Sequence, residues 1–361
     1  MGIFSLKPEP LVGIDISSTA VKLLELSRAG NNYKVESYAI EPLPEKAVED
    51  KNVVELETVG EAISRVVRRA KPKAQFSAVA VSGPAVITKI IEMDKGMSDD
   101  ERRALIEADA EQYIPYPLDE ISFDFEVIGP NDKDPETRMD VLLAASRSEN
   151  VEIRIASAEL GGLKVRVVDI EKYALENAFR LLAESDPEIN VDETIGLVDV
   201  GATTTTINVL GNNKIVYSRE ELFGGKRLTE NIQHRYGISY EEANLAKRNG
   251  GLPDDYEIEV LEPFKAEMAQ QISRMVQYYY SSDASPKYGQ LSHILIAGGC
   301  ASIPGIIEHV SNKVGGHVTI ANPFASMSLS AKVPKKDLMR DAPALMIACG
   351  LALRTFDKFN Y

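Results

Sequence analysis

Two stretches decide how this chain is read: Leu11-Val-Gly-Ile-Asp15-Ile-Ser-Ser-Thr19 and Leu197-Val-Asp199-Val-Gly201-Ala-Thr-Thr-Thr205. Each is an apolar strand that runs into an aspartate and then into small hydroxyl residues. A second strand follows each, at 21–26 and 207–210. The same turn then comes twice, Gly30-Asn31-Asn32 and Gly211-Asn212-Asn213, with a third strand behind it at 33–40 and 214–219. Gly and Asn tolerate the positive φ of tight hairpin turns. The chain therefore holds two three-stranded meanders, each with an aspartate at its first bend.

Each meander leads into a helix. Val54, Leu56, Val59, Ile63, Val66 and Val67 fall at helical spacing after the first, and Leu228, Ile232 and Tyr236 after the second. Parallel-type apolar strands follow at 78–81, 165–168 and 293–297. Strands alternating with helices predict an α/β fold. Two such halves with matching aspartate turns would face one another across a cleft. Between them, Ser98-Asp-Asp-Glu101 is a capping-box signature, opening a helix that Pro115 and Pro117 end. Ile121, Phe123, Phe125 and Val127 alternate as a half-buried strand, and 139–145 reads as its partner. Residues 87–150 are thus expected to form a small α+β insertion. Helices are expected at 240–247 and 262–280, and the small-residue run after Pro343 predicts a helix fit for close packing.

Composition narrows the function. At 361 residues the chain suits two or three domains. Forty Lys and Arg against 55 Asp and Glu give a net charge of −15, which disfavours binding to a phosphate backbone. Two cysteines, Cys300 and Cys349, exclude a disulfide framework and a cysteine metal site and suit a reducing compartment. No apolar run approaches the ~18–20 residues that span a bilayer. Met1-Gly-Ile-Phe-Ser-Leu6 lacks both the apolar region of a signal peptide and the hydroxyl residue of a myristoylation site. The sequence reads as a soluble, cytoplasmic protein. Gly-x-Ser-x-Gly, His-Glu-x-x-His and paired Cys-x-x-Cys motifs are missing, and the four histidines have no ligand spacing. Phe223-Gly-Gly-Lys226 is no P-loop, because Glu220 and Arg227 stand where Gly and Ser or Thr belong.

What remains is phosphate chemistry. A bend without bulky side chains lets backbone N–H groups converge on a phosphate. Ser17, Ser18 and Thr19, with Gly201, Ala202, Thr203 and Thr204, supply such bends and add hydroxyl donors. Asp15 and Asp199 stand where a magnesium ion could be held through water. Lys22, on the return strand, can neutralise phosphate charge. Ile294-Leu-Ile-Ala-Gly298-Gly299 is a strand followed by a turn whose glycines let backbone lie against a purine ring.

In this order the three motifs resemble those of the actin-like ATPase superfamily. The match is closer to its FtsA-like branch and closer still to the PilM family of type IV pilus inner-membrane assembly proteins. GIDISSTAVKLLELS, IEADAEQYIPYPLDE, FGGKRLTENIQ, GLPDDYEIEVL and DAPALMIACGLALR carry that likeness from end to end. The resemblance implies an actin-like, ribonuclease H-like two-lobed α/β fold. Residues 1–190 would form a first lobe carrying the FtsA-like insertion 87–150. Residues 191–330 would form a second lobe with a helical nucleotide-flanking subdomain at 223–291, and 331–361 would return to the first lobe. ATP and Mg²⁺ would lie between the lobes, Gly225 would approach the phosphates, and Glu242 and Lys247 would flank the ribose. The family binds the cytoplasmic N-terminal peptide of PilN in a groove at the inserted subdomain. That contact holds an otherwise soluble protein at the inner-membrane pilus alignment complex, in support of pilus biogenesis and twitching motility.

Turnover is a separate matter. Related ATPases place an acidic or amide residue at the start of the helix that links the lobes, to orient the attacking water. Here that stretch is Val168-Asp-Ile-Glu171, so Glu171, or Asp169, could serve, and either could simply cap the helix. A nucleotide-dependent scaffold with slow or no hydrolysis is the expectation. A phosphotransferase of the sugar-kinase type and a filament-forming ATPase are its alternatives.

Overall fold

The computed structural model describes residues 9–83 and 86–357. The N-terminal stretch read above for targeting signals therefore lies outside the described residues, as do the last four residues of 331–361.

The first half opens with the meander β1 (Leu11–Ile16), β2 (Ala20–Ala29) and β3 (Asn32–Pro42). A short hairpin, β4 (Val48–Glu49) and β5 (Asn52–Val53), precedes α1 (Leu56–Ala70) and β6 (Phe76–Val81). Val54 lies before this helix and is exposed; Val59, Ile63 and Val66 form its buried face. Next come β7 (Ile87–Asp94), α2 (Asp99–Ala108), α3 (Ala110–Tyr113), β8 (Ile121–Pro130) and β9 (Arg138–Arg147). Ser98 and Glu101 make both bonds of the capping box. The segment α4 (Ser148–Leu160), β10 (Lys164–Ile170) and α5 (Glu171–Ser185) leads to the second half.

There the meander recurs as β11 (Thr194–Val200), β12 (Thr205–Gly211) and β13 (Lys214–Glu221). Helices α6 (Gly225–Tyr236), α7 (Tyr240–Asn249), α8 (Glu262–Tyr280) and α9 (Ser285–Tyr288) follow. The chain continues through β14 (Leu291–Ala297), α10 (Ile306–Val314), β15 (His317–Ile320), β16 (Ser328–Leu329), α11 (Lys335–Asp341) and α12 (Met346–Leu353).

Three sheets result besides the β4–β5 hairpin. The first has the order β10-β6-β1-β2-β3-β16, the second β13-β12-β11-β14-β15, and a separate three-stranded sheet the order β7-β9-β8. The two meanders occupy corresponding places: β1 pairs antiparallel with β2 and parallel with β6, and β11 pairs antiparallel with β12 and parallel with β14.

The cores explain how the halves are joined. Val59, Ile63 and Val66 of α1 and Ala158 of α4 cover one face of the first sheet. Leu228, Phe264, Ile272 and Val310 from α6, α8 and α10 cover one face of the second. Between the sheets lies a shared core in which Leu175, Phe179 and Leu182 of α5 and Ala348, Cys349 and Ala352 of α12 meet strands of both. Chain return is visible at both ends of this layer: β16 pairs with β3, and Thr355 exchanges hydrogen bonds with Leu11. Both hairpin bends consequently sit at one edge of the sandwich.

Candidate functional site

Those bends open into one cleft of 1140 Å³. Register places the first site in detail: Asp15 is the strand partner of Lys22, and the Lys22 ammonium donates to Asp15 Oδ2 at 2.8 Å. Burial alone would lower the Lys22 pKa, but Asp15, backed by Asp199 and Glu171, holds it above the ordinary value. The second hairpin repeats the arrangement with Asp199 opposite Thr206. The two bends touch, since the Ser18 and Thr203 hydroxyls lie 3.2 Å apart. Small residues at 17–19 and 201–204 are what allow this approach.

The third motif closes the same space. Gly298 takes φ +85°, and a Cβ there would sit 2.3 Å from the Val200 carbonyl and 2.4 Å from Asp199 Oδ1. A side chain at 298 would thus collide with the second bend, so Gly is required. The Gly298 N–H donates to the Pro343 carbonyl at 2.8 Å, which ties this turn to the start of the last helices. Gly225, at the head of α6, hydrogen-bonds through its N–H to the Gly201 carbonyl at 3.0 Å.

Asp15, Ser17, Ser18, Thr19, Lys22, Glu171, Asp199, Gly201, Ala202, Thr203, Thr204, Gly225, Lys247, Gly298 and Gly299 all line the cleft. Glu242 is not among its lining residues. Its carboxylate accepts from the Ser239 N–H at 2.8 Å and its own N–H donates to Ser239 Oγ, a capping box at the exposed start of α7. The third helical position of a capping box points back along the backbone, so the Glu242 carboxylate is engaged there and not beside Lys247. Asp169 also turns elsewhere, facing Arg354 at 3.4 Å while its Oδ1 accepts from the Ile170 N–H.

Two cleft lysines, Lys51 and Lys226, and a buried arginine that supports one of them had no sequence signal. Lys51, at the tip of the β4–β5 hairpin, lies 3.7 Å from Glu171 and pairs with Glu220 on β13. Buried Arg154 of α4 donates to the carbonyls of Ile16 and Lys51 at 3.3 and 2.6 Å. Lys226 reaches Glu45 at 3.3 Å. An Asp-Lys pair between short strands is a common turn, and nothing local marks Arg154 as buried. Only the tertiary fold brings the lysines to the cleft and Arg154 behind Lys51.

Electrostatically the cleft holds strained acids. Burial pushes the Asp199 carboxyl up; Lys22 opposes this and Asp15 adds to it. Glu171 is likewise raised by burial, with Lys51 pulling it down and Asp15 pushing it up. Lys247 is lowered by burial to about 8, and its ammonium donates to Thr229 Oγ1 at 2.6 Å and to the Gly225 carbonyl at 3.2 Å. Among the described residues no group of three or more His, Cys, Asp or Glu side chains could hold a metal by itself. Two hard carboxylates beside hydroxyls and open backbone N–H groups instead fit a magnesium ion that keeps most of its water and brings its own phosphate ligands. A cation there would relieve the burdened Asp199.

Comparison with known proteins agrees with this architecture. A family model described as type IV pilus assembly protein PilM matches residues 13–356. Among solved structures, a PilM–PilN type IV pilus biogenesis complex aligns with TM-score 0.78 and 24% identity, over 97% of this chain and 100% of that one. The ethanolamine utilization protein EutJ from Carboxydothermus hydrogenoformans aligns with TM-score 0.57 and 18% identity, over 96% and 91%. Cell division protein FtsA of Enterococcus hirae is 23% identical over 353 residues, 86% of this chain and 78% of that protein. The fold is the actin-like ATPase fold.

Proposed function

The chain belongs to the PilM family of type IV pilus assembly proteins, and from that premise we propose that it is a nucleotide-held scaffold. In this reading Mg-ATP occupies the cleft and fixes the relation of the two halves, and a partner peptide docks where the separate three-stranded sheet meets the first half. The observation that carries the nucleotide reading is the contact of two phosphate-type bends, Ser18 against Thr203, with Asp15 and Asp199 beside them in one cleft.

Each residue has a defined task. Backbone N–H groups at 18–19 and 202–204 cradle phosphates, with Ser and Thr hydroxyls as further donors. Lys22 neutralises charge from the first bend, and Gly298–Gly299 give the purine a flat backbone surface. Lys247 and Gly225 close the side of the cleft formed by α6 and α7. Magnesium, when bound, screens the phosphate charge; Asp15 and Asp199 hold its water shell. Glu171 is the residue placed to orient an attacking water. In the unliganded protein the Lys51 ammonium stands 3.7 Å from its carboxylate and competes with a water for it, which favours slow turnover.

For the partner, a PilM–PilN complex is the aligned structure, so the cytoplasmic tail of a PilN-type membrane protein is the proposed ligand. No helix among the described residues is long and apolar enough to cross a membrane. Docking on such a tail would bring the chain to the inner membrane and to pilus assembly and twitching motility. The test is ATP binding and phosphate release measured together, with magnesium, on wild type and Asp199→Ala. Magnesium-dependent binding with little release, weakened in the variant, supports the scaffold; absent binding refutes it, and rapid release abolished by the substitution makes the chain a working ATPase.

A further inference from the structure

Residues 44–54 pack on the first half and reach the second half at the cleft mouth through their side chains. Two ion pairs mark the crossing, Glu45 to Lys226 at 3.3 Å and Lys51 to Glu220. The tip of this hairpin is a two-residue turn in which Asp50 and Lys51 both have positive φ, 46° and 66°, as a type I′ turn requires. The turn is anchored by Arg154, only 3% exposed, which donates to the Lys51 carbonyl and to that of Ile16 at the first bend. A buried guanidinium thus ties the position of Lys51 to the phosphate-type hairpin, and the ammonium is delivered between Glu171 and Glu220.

The location is at the outer end of the phosphate path. Lys22 is engaged with Asp15 on the bend itself, whereas Lys51 stands beside Glu171, the group placed to orient water, and reaches out to the half-exposed Glu220. A water positioned by Glu171 attacks the last phosphate of the chain, so a cation beside Glu171 meets that phosphate and not the inner ones.

Resting on the nucleotide reading above, we propose that Lys51 is the residue by which the cleft distinguishes a nucleoside triphosphate from a diphosphate. The terminal phosphate, more highly charged than a single carboxylate, takes the Lys51 ammonium from Glu220. A diphosphate ends short of it and leaves the pair intact. Triphosphate binding therefore loosens one of the two ion pairs across the cleft mouth, and diphosphate binding loosens neither.

The experiment is a pair of affinities, Mg-ATP and Mg-ADP, titrated calorimetrically into the full chain for wild type, Lys51→Met and Glu220→Gln. Wild type prefers ATP. Lys51→Met shrinks the ATP-to-ADP preference by roughly tenfold, the size of one charge-assisted hydrogen bond. Glu220→Gln removes the competing carboxylate and widens the preference, and it keeps the proposal testable if Lys51→Met folds poorly. A merely structural role for Lys51 would move both affinities alike and leave their ratio unchanged; that result in both variants overturns the proposal. If wild type binds neither nucleotide, the nucleotide reading itself fails and this inference falls with it, an outcome distinct from an unchanged ratio.

Discussion

Asp199 is a carboxylate that the fold makes costly and a cation would make useful. Burial and Asp15 raise its pKa, so its value to the protein should depend on magnesium. In wild type, chelating magnesium should weaken ATP binding about tenfold or more, whereas Asp199→Asn, which loses the charge but keeps the shape, should show little magnesium dependence. Equilibrium titration with and without chelator checks this. Lys247 supplies a second prediction at this scale. Its pKa is lowered to about 8 by burial, below the unfolded value, so between about 8 and 10.5 the unfolded chain binds more protons. Stability should accordingly gain a contribution as pH rises through that window, and Lys247→Met should remove it. Melting temperatures at pH 7 and 9.5 for both proteins measure the difference. These two residues were legible in different ways. Asp199 stands in a duplicated bend; Lys247 came with the family resemblance, which also brought Glu242, whose carboxylate is consumed by the α7 cap. Lys51 and Arg154 had no local signature because their positions depend on each other across 103 residues.

Helix α12 shows what an element must satisfy to sit between two sheets. A Cβ added at Gly350 would lie 1.7 Å from the Ala174 carbonyl of α5, and one at Gly13 of β1 would lie 2.2 Å from the Ala348 carbonyl. Helix, helix and strand meet backbone to backbone, so neither contact can relax by rotating a side chain. Gly350→Ala should therefore destabilise by ~3 kcal/mol, the upper end of typical overpacking costs, seen as a lower urea midpoint with unchanged slope. A midpoint like that of wild type would show that the α5–α12 contact yields freely. The small-residue run after Pro343 already announced close packing, and Ser98 with Glu101 announced a helix start. The break between α2 and α3 and the strand β16 were not announced. A two-residue strand has no periodicity to read, and its pairing with β3 is decided 294 residues away.

Across the whole molecule, the shared α5–α12 layer joins the sheets, and their bends meet at the cleft. Contents of the cleft and the relation of the halves are then coupled, because the ties across its mouth, Ser18–Thr203, Lys51–Glu220 and Glu45–Lys226, lie where phosphates would bind. The repeat in the sequence was enough to expect two facing halves. The ties could not be foreseen, since each joins residues that no local pattern pairs. A scaffold held by nucleotide must pass this state to its partner, and linkage makes the effect mutual. The most direct measurement is the affinity of a fluorescent peptide copying a PilN-type cytoplasmic tail for the full chain, with magnesium present, in the absence and presence of saturating ATP. The account predicts an affinity that differs between the two conditions by about fivefold or more; equal affinities at saturating nucleotide would contradict it.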